Sequence, residues 1–483
     1  MPDLSVPDSQ LARLLIERGL GAIYLIAFVV AFRQFPALCG EHGLEPATRI
    51  LAWTGFREVP SIFQLRYSDR LLRLVAAIGA VIAAAIVAGI VGAAPLPVAM
   101  LAWLVLWVLY LSIMNVGGTF YGFGWESQLL ETGFLAIFLG NVGTPPSFLV
   151  ILLFRWIAFR VEFGAGLIKL RGDRCWRELT CMEYHHETQP LPNPLSWYAH
   201  HAPRGFHRLE ALGNFVAQLV LPFGLFMPQP IASIAAALMI ATQLYLVITG
   251  NYAWLNWITI IAIVAGLSDG VVHTILPFLP LPNATFAPPP AWFTAAAIVL
   301  AAAVAILSYW PVRNLLDPRQ RMNASFNPFH LANTYGAFGS VTRRRYEVIV
   351  EGTDAAVVDD AAVWREYEFK GKPGDPRRLP PQVAPYHLRL DWLMWFIPIS
   401  PAYAGTWFER FLRRLLEGDR PTLALLRRNP FPDGPPTYVR AQLYLYRFTS
   451  FEERRRTGAW WSRSAVGELV PALRLRDLRS ESG

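Results

Sequence analysis

Long uncharged runs dominate the first two thirds of the chain, in lengths that match a lipid bilayer. Residues 74–94 carry no charged side chain, and residues 95–114 follow with a second such run. At about 1.5 Å rise per residue, either run crosses a hydrocarbon core about 30 Å thick as a helix. Pro95 predicts the turn of a helical hairpin between them. Similar runs at residues 20–35, 125–141, 148–170, 211–227, 231–250, 251–267 and 291–310 raise the expectation to about nine crossings. Some of these are short and some carry charges, which marks them as candidates for bundle-interior helices or half-helices. Trp103, Trp107, Trp292 and Trp310 are candidates for interfacial belts.

After residue 310 the period changes. Residues 346–350, 364–369 and 438–448 alternate apolar or aromatic positions with charged ones, as half-buried strands do. Residues 391–396 and 408–416 read as helices, with Trp392, Trp395 and Phe396 expected to cover the sheet. Proline-rich connections occupy residues 372–381 and 429–436. The expected fold class is therefore a polytopic α-helical membrane bundle over residues 1–310, with structured loops at 33–73 and 169–207. A β-rich extramembrane domain over residues 311–483 follows it, docked at one membrane face.

Composition agrees with this division. Hydrophobic residues make up 54% of the chain and charged residues only 16%, too apolar an average for an ordinary soluble domain. The net charge of +8 has a membrane explanation, so nucleic acid is not required as a partner. Arg13, Glu17 and Arg18 precede the first apolar run and no small-residue cleavage site closes it, so that run reads as an anchor. The cysteines are Cys39, Cys175 and Cys181, which excludes a disulfide-rich scaffold and leaves one short bridge, Cys175 to Cys181, open.

Charges inside the apolar runs are the candidates for chemistry, because an unpaired carboxylate in a bilayer costs at least a few kcal/mol. Glu126 and Glu131 lie on one such run, and Arg155, Arg160, Glu162 and Lys169 on the next. Arg155, Glu162, Gly166 and Lys169 share a helical face by spacing. Glu126 or Glu131 is expected within salt-bridge reach of Arg155, Arg160 or Lys169. Such a cluster serves either as a buried network that fixes helix register or as a polar site that binds a ligand. His185, His186, His200 and His201, with Glu183 and Glu187, match no zincin or finger spacing, and neither a metal nor another cofactor is expected. No P-loop, dinucleotide fingerprint or nucleophile elbow occurs.

The densest motifs are Trp125-Glu-Ser-Gln-Leu-Leu-Glu-Thr-Gly-Phe, Arg160-Val-Glu-Phe-Gly-Ala-Gly-Leu-Ile-Lys-Leu-Arg-Gly-Asp and Cys175-Trp-Arg-Glu-Leu-Thr-Cys-Met-Glu-Tyr-His-His-Glu-Thr-Gln-Pro. They are followed in order by Asn327-Pro-Phe-His-Leu-Ala-Asn-Thr-Tyr-Gly-Ala-Phe-Gly, Trp364-Arg-Glu-Tyr-Glu-Phe-Lys-Gly-Lys-Pro-Gly and Pro385-Tyr-His-Leu-Arg-Leu-Asp-Trp. By these blocks the chain resembles the lipase maturation factor family, and its membrane core is remotely similar to the superfamily of vitamin K-dependent gamma-carboxylase. The resemblance implies a multipass, non-enzymatic folding factor that helps secreted lipases fold and assemble. Eukaryotic members are expected in the endoplasmic reticulum membrane, and a bacterial one in the plasma membrane. The C-terminal domain is then noncytoplasmic, although the arginine-rich loops on its side count as cytoplasmic by the positive-inside rule. Membrane lipid and a client lipase are the implied partners. The loop residues Trp176, Arg177, Tyr184, His185 and His186 are the candidate client-facing group. The alternative is a membrane enzyme or lipid-binding protein built around the charge cluster, which a cavity between those helices would favour.

Overall fold

The computed structural model describes residues 4–281, 286 and 288–478, so the first three and last five residues of the two expected regions lie outside the description. The chain opens with α1 (Gln10–Cys39), a 30-residue helix. Its first N–H groups are satisfied from afar: the Asp269 carboxylate accepts from Gln10 N at 3.0 Å and Leu11 N at 2.8 Å. A negative charge there also suits the helix dipole. Helix α2 (Asp69–Ala88) is capped by Ser68, whose hydroxyl oxygen accepts from Leu71 N at 3.2 Å. Helix α3 (Leu96–Asn115) starts directly after Pro95, at the expected hairpin turn.

Next come α4 (Gly124–Ala136), α5 (Phe148–Arg171), the short α6 (Met182–Thr188), α7 (Arg204–Phe215), α8 (Ile231–Thr249), α9 (Leu255–Ile263) and α10 (Ala291–Leu307). Among the described residues, five helical stretches are long and apolar enough to cross a membrane: α1, α2, α3, α8 and Ala291–Leu316. The other expected spans depart from that form for visible reasons. Helix α4 has 13 residues, and α5 is long but carries Arg155, Arg160, Glu162 and Lys169. The run at 211–227 is broken, since α7 passes into a π-turn at Val216–Val220 and a short helix at Leu221–Gly224. Pro222, which lacks a backbone N–H, sits at that break. The run at 251–267 is α9 plus one 3-10 turn, Val264–Gly266.

The C-terminal part is a four-stranded antiparallel sheet in the order β2-β1-β3-β4, with β1 (Arg345–Thr353), β2 (Arg365–Glu366), β3 (Tyr438–Phe448) and β4 (Trp461–Leu473). Tyr346 stands opposite Leu445 and Val350 opposite Ala441, so the alternation read at residues 346–350 and 438–448 is that of a central pair. The stretch 364–369 pairs with β1 at Arg365 and Glu366, and Glu368 makes an isolated antiparallel bridge to Arg428; Tyr367 and Phe369 are buried. Strand β4 lacks an alternating signal because it is an exposed edge over much of its length.

Helices α11 (Arg389–Phe396) and α12 (Gly405–Leu416) complete this part. Trp392, expected to cover the sheet, shares one apolar core with Val348 and Val350 of β1. Its ring also meets the bundle, stacking edge-on with Phe123 and Trp125 at centroid distances of 5.9 Å and 4.9 Å. Trp395 donates to Thr188 O at 3.1 Å, and Phe396 packs on Tyr403. Phe411 of α12 covers Phe369 at 6.0 Å. One continuous apolar core runs from Phe28 and Phe35 of α1 through Ile157 of α5 to Val348 and Val350 of β1, so the sheet region is packed into the bundle.

Candidate functional site at the seam between bundle and sheet

Two buried carboxylates on α4 organise the seam, and each finds partners from the C-terminal half. Glu126 is fully buried and pairs with Arg389 of α11 at 2.8 Å. It also accepts from the Tyr110 hydroxyl of α3 and lies 3.7 Å from His387 Nδ1. Arg389 donates to Phe120 O at 2.7 Å and stacks over the Tyr121 ring at 3.5 Å. Burial disfavours the Arg389 charge, but Glu126 beside it outweighs that and drives its pKa above the ordinary value. His387 is pushed down to about 4, first by burial and then by the Arg389 charge, so it is neutral at pH 7.

One and a half turns further along α4, Glu131 meets the fully buried Arg160 of α5. The remaining lone pairs of Glu131 are filled by the segment 327–339. Asn333 donates twice, from its backbone N and its Nδ2, each at 3.0 Å, and the Tyr335 hydroxyl donates at 2.7 Å. Arg160 in turn donates to Asn333 O at 2.7 Å. Small residues let this segment run against α5: a Cβ on Gly164 would lie 2.5 Å from Tyr335 O, and one on Gly172 2.2 Å from Gly339 O.

The other charges of the expected cluster do not join Glu126 and Glu131. Lys169 donates to Asn214 at 2.7 Å and Gln218 at 3.0 Å, and Glu162 accepts from Gln243 at 2.7 Å. Arg155 donates to Ala265 O and Leu225 O. Of the expected cross-helix pairings, Glu131 with Arg160 is formed; Glu126 instead takes a partner from the sheet region. A third buried group ties the sheet to the loop: Arg345 pairs with Glu347 at 2.5 Å and donates to Glu187 O and Pro190 O, each at 3.0 Å, while Lys372 pairs with Glu347 at 2.9 Å.

Cys175 and Cys181 are bridged, with their Cα atoms 4.9 Å apart. The loop around them does not present the group expected to face a client. Trp176, His185 and His186 are buried, because Trp176 donates to Phe338 O and stacks under Lys169, and His185 bonds the Tyr252 hydroxyl at 2.8 Å. Tyr184 is half-buried beneath Arg343, and Arg177 alone of the five is exposed. His186 bonds Glu210 at 3.0 Å and His207 bonds it at 2.7 Å. Among the described residues these three bring ligand atoms within 4.8 Å of one another, the one such group able to hold a metal ion, and it draws only one histidine from those weighed in the sequence.

The family model for the lipase maturation factor transmembrane domain matches residues 11–274, and that for the lipase maturation factor C-terminal domain matches residues 331–471. The chain belongs to the lipase maturation factor family. It is 42% identical to lipase maturation factor 1 of Bos taurus over 97% of this chain and 90% of the relative. With lipase maturation factor 1 of Homo sapiens the identity is 41%, over 97% of this chain and 89% of that protein. Lipase maturation factor 2 of Homo sapiens is 30% identical, over 97% and 83% respectively. No solved structure matches.

In this family member the two matched segments meet at the seam: Glu126, Glu131 and Arg160 come from the first, and Asn333, Tyr335, His387 and Arg389 from the second. The sequence reading missed the last four as partners. Their signal was present, since polar blocks following a membrane bundle that contains surplus carboxylates are the natural source of counter-groups.

Proposed function

We propose that the chain is a membrane-embedded maturation factor that assists the folding and assembly of secreted lipases and is not itself an enzyme. The single observation that carries this reading is the 42% identity to a lipase maturation factor over 97% of the chain. The seam supports it, because Glu126, Glu131 and Arg160 are engaged in ion pairs and hydrogen bonds that tie the bundle to the C-terminal part, as a packed structural junction does.

The reading includes about nine crossings and a noncytoplasmic C-terminal domain. Contacts at the helix ends support alternating passes. Val142 N bonds Gly92 O and Phe148 N bonds Leu4 O at one face. At the other face Gln34 donates to His387 O and Asp173 N bonds Gly339 O. Residues 1–310 then act as the membrane unit and 311–483 as the domain that meets the client. Expression of the full chain in cells lacking a maturation factor, with a lipase of the lipoprotein lipase type, tests the function. Secreted active lipase dimer is the expected result; active dimer equal to that of the empty vector overturns it.

A further inference from the structure

At the membrane face opposite the sheet, a cleft of about 330 Å³ opens beside Arg155, walled by Phe148, Ile151, Leu152, Phe226 and Met227. Arg155 lies seven residues into α5, roughly 10 Å below the start of that helix at about 1.5 Å per residue. Its Nε donates to Ala265 O at 2.8 Å and its Nη1 to Leu225 O at 3.0 Å, the carbonyls of two broken helix ends. Those two bonds orient the guanidinium and, among the described residues, leave Nη2 with no acceptor. Among the described residues, no carboxylate stands within salt-bridge distance of it.

A half-buried cation with a fixed orientation, an unused pair of N–H donors and apolar walls is a complementary pair of surfaces for one ligand chemistry. The donors match an anionic oxygen of a phosphodiester, and Phe148, Phe226 and Met227 match the acyl chain attached to it. The depth suits a headgroup whose phosphate lies at the interface, and it suits the long side chain of an arginine, which reaches toward that level. The charge also has to be met by something, since a lone arginine at this depth is costly. A peptide partner would need a carboxylate or phosphate carried into the bilayer, whereas an anionic phospholipid is already there.

We propose that the Arg155 cleft is a binding site for an anionic phospholipid, its phosphate on the guanidinium and one acyl chain along Phe226 and Met227. The site is independent of the client-folding reading, and its test reads lipid, not lipase.

The full chain is purified in neutral detergent and loaded separately with phosphatidylglycerol and with phosphatidylcholine. Retained lipid per protein is then counted after gel filtration, with and without inorganic phosphate. The expected result is about fivefold preference for phosphatidylglycerol, unaffected by inorganic phosphate. R155Q is expected to abolish the preference. M227W, which fills the cleft and leaves the two carbonyl bonds in place, is expected to lower retention of both lipids at an unchanged thermal midpoint. Equal retention of the two lipids by the unmodified chain overturns the proposal. So does unchanged preference in both variants, and so does displacement by inorganic phosphate, which makes this a free-anion site. If R155Q does not fold, M227W decides alone: unchanged retention overturns the site.

Discussion

The Tyr335 hydroxyl donates at 2.7 Å to the Glu131 carboxylate, across 204 positions of sequence. This contact, with Asn333, turns a cross-helix ion pair into a three-part junction of α4, α5 and the segment 327–339. Buried pairs of this kind stabilise only when their remaining hydrogen-bonding capacity is filled.

Y335F should therefore weaken the junction by about 1.5 to 3 kcal/mol, the range for a hydrogen bond to a charged group. R160A should cost more, about 3 to 5 kcal/mol, because it leaves Glu131 buried without its counter-charge. Denaturant or thermal unfolding of the purified chain measures both, and equal effects would show that Arg160 is not the dominant partner.

The Glu126–Arg389 pair predicts strong non-additivity. E126Q and R389M each strand a buried charge, while the double variant removes both, so the double should be less destabilised than the sum of the singles by at least about 1 kcal/mol. A double-mutant cycle on thermal midpoints checks it; simple additivity would mean that the two groups do not share their energy.

Acid should loosen the seam through His387. Its pKa is held at about 4, below the ordinary 6.5, by burial and by Arg389. The unfolded chain therefore takes up a proton below pH 6.5 that the folded chain refuses. The share of stability carried by His387 is constant above that pH and falls as pH drops from 6.5 toward 4. His200, lowered to about 3 by burial, adds to the same window. H387Q should lessen, and not abolish, the dependence of the unfolding midpoint between pH 7.5 and pH 5, since His200 keeps its share; an unchanged slope would assign it elsewhere.

The close approach of segment 327–339 to α5 predicts that G164A and G172A are damaging, since each new Cβ meets a backbone oxygen that cannot swing away. A loss of about 1 to 3 kcal/mol is expected for each. Gly205, with nothing within 4 Å of a built Cβ, is the control, and G205A should be close to neutral. Protease resistance of the bridged Cys175 loop in intact membranes gives a second readout.

The membrane half was most legible at α3, which fills a charge-free run directly after Pro95; the run before it is only mostly α2, since Gly89 turns left-handed and a separate short helix, Ile90–Ala93, precedes Pro95. It was less legible at 211–227, where composition reports apolarity but not the π-turn and the break at Pro222. Strand β3 was readable because both its neighbours are present and its faces differ; β4 was not, because solvent on much of its surface removes the alternation. Glu131 with Arg160 followed from the placement of charges on successive apolar runs. Glu126 with Arg389 did not, because nothing local to either residue encodes a partner 263 positions away; periodicity reports faces, not pairings.

The junction at Glu131 also sets an order in time. Arg160 lies 29 positions after Glu131, but Tyr335 lies 204 after it. At about 5 to 20 residues per second, synthesis delivers Arg160 within seconds and Tyr335 only after on the order of 10 to 40 s. Until then the nascent bundle holds a carboxylate with one partner out of three, so this protein is itself a slow-closing client of the membrane into which it is inserted.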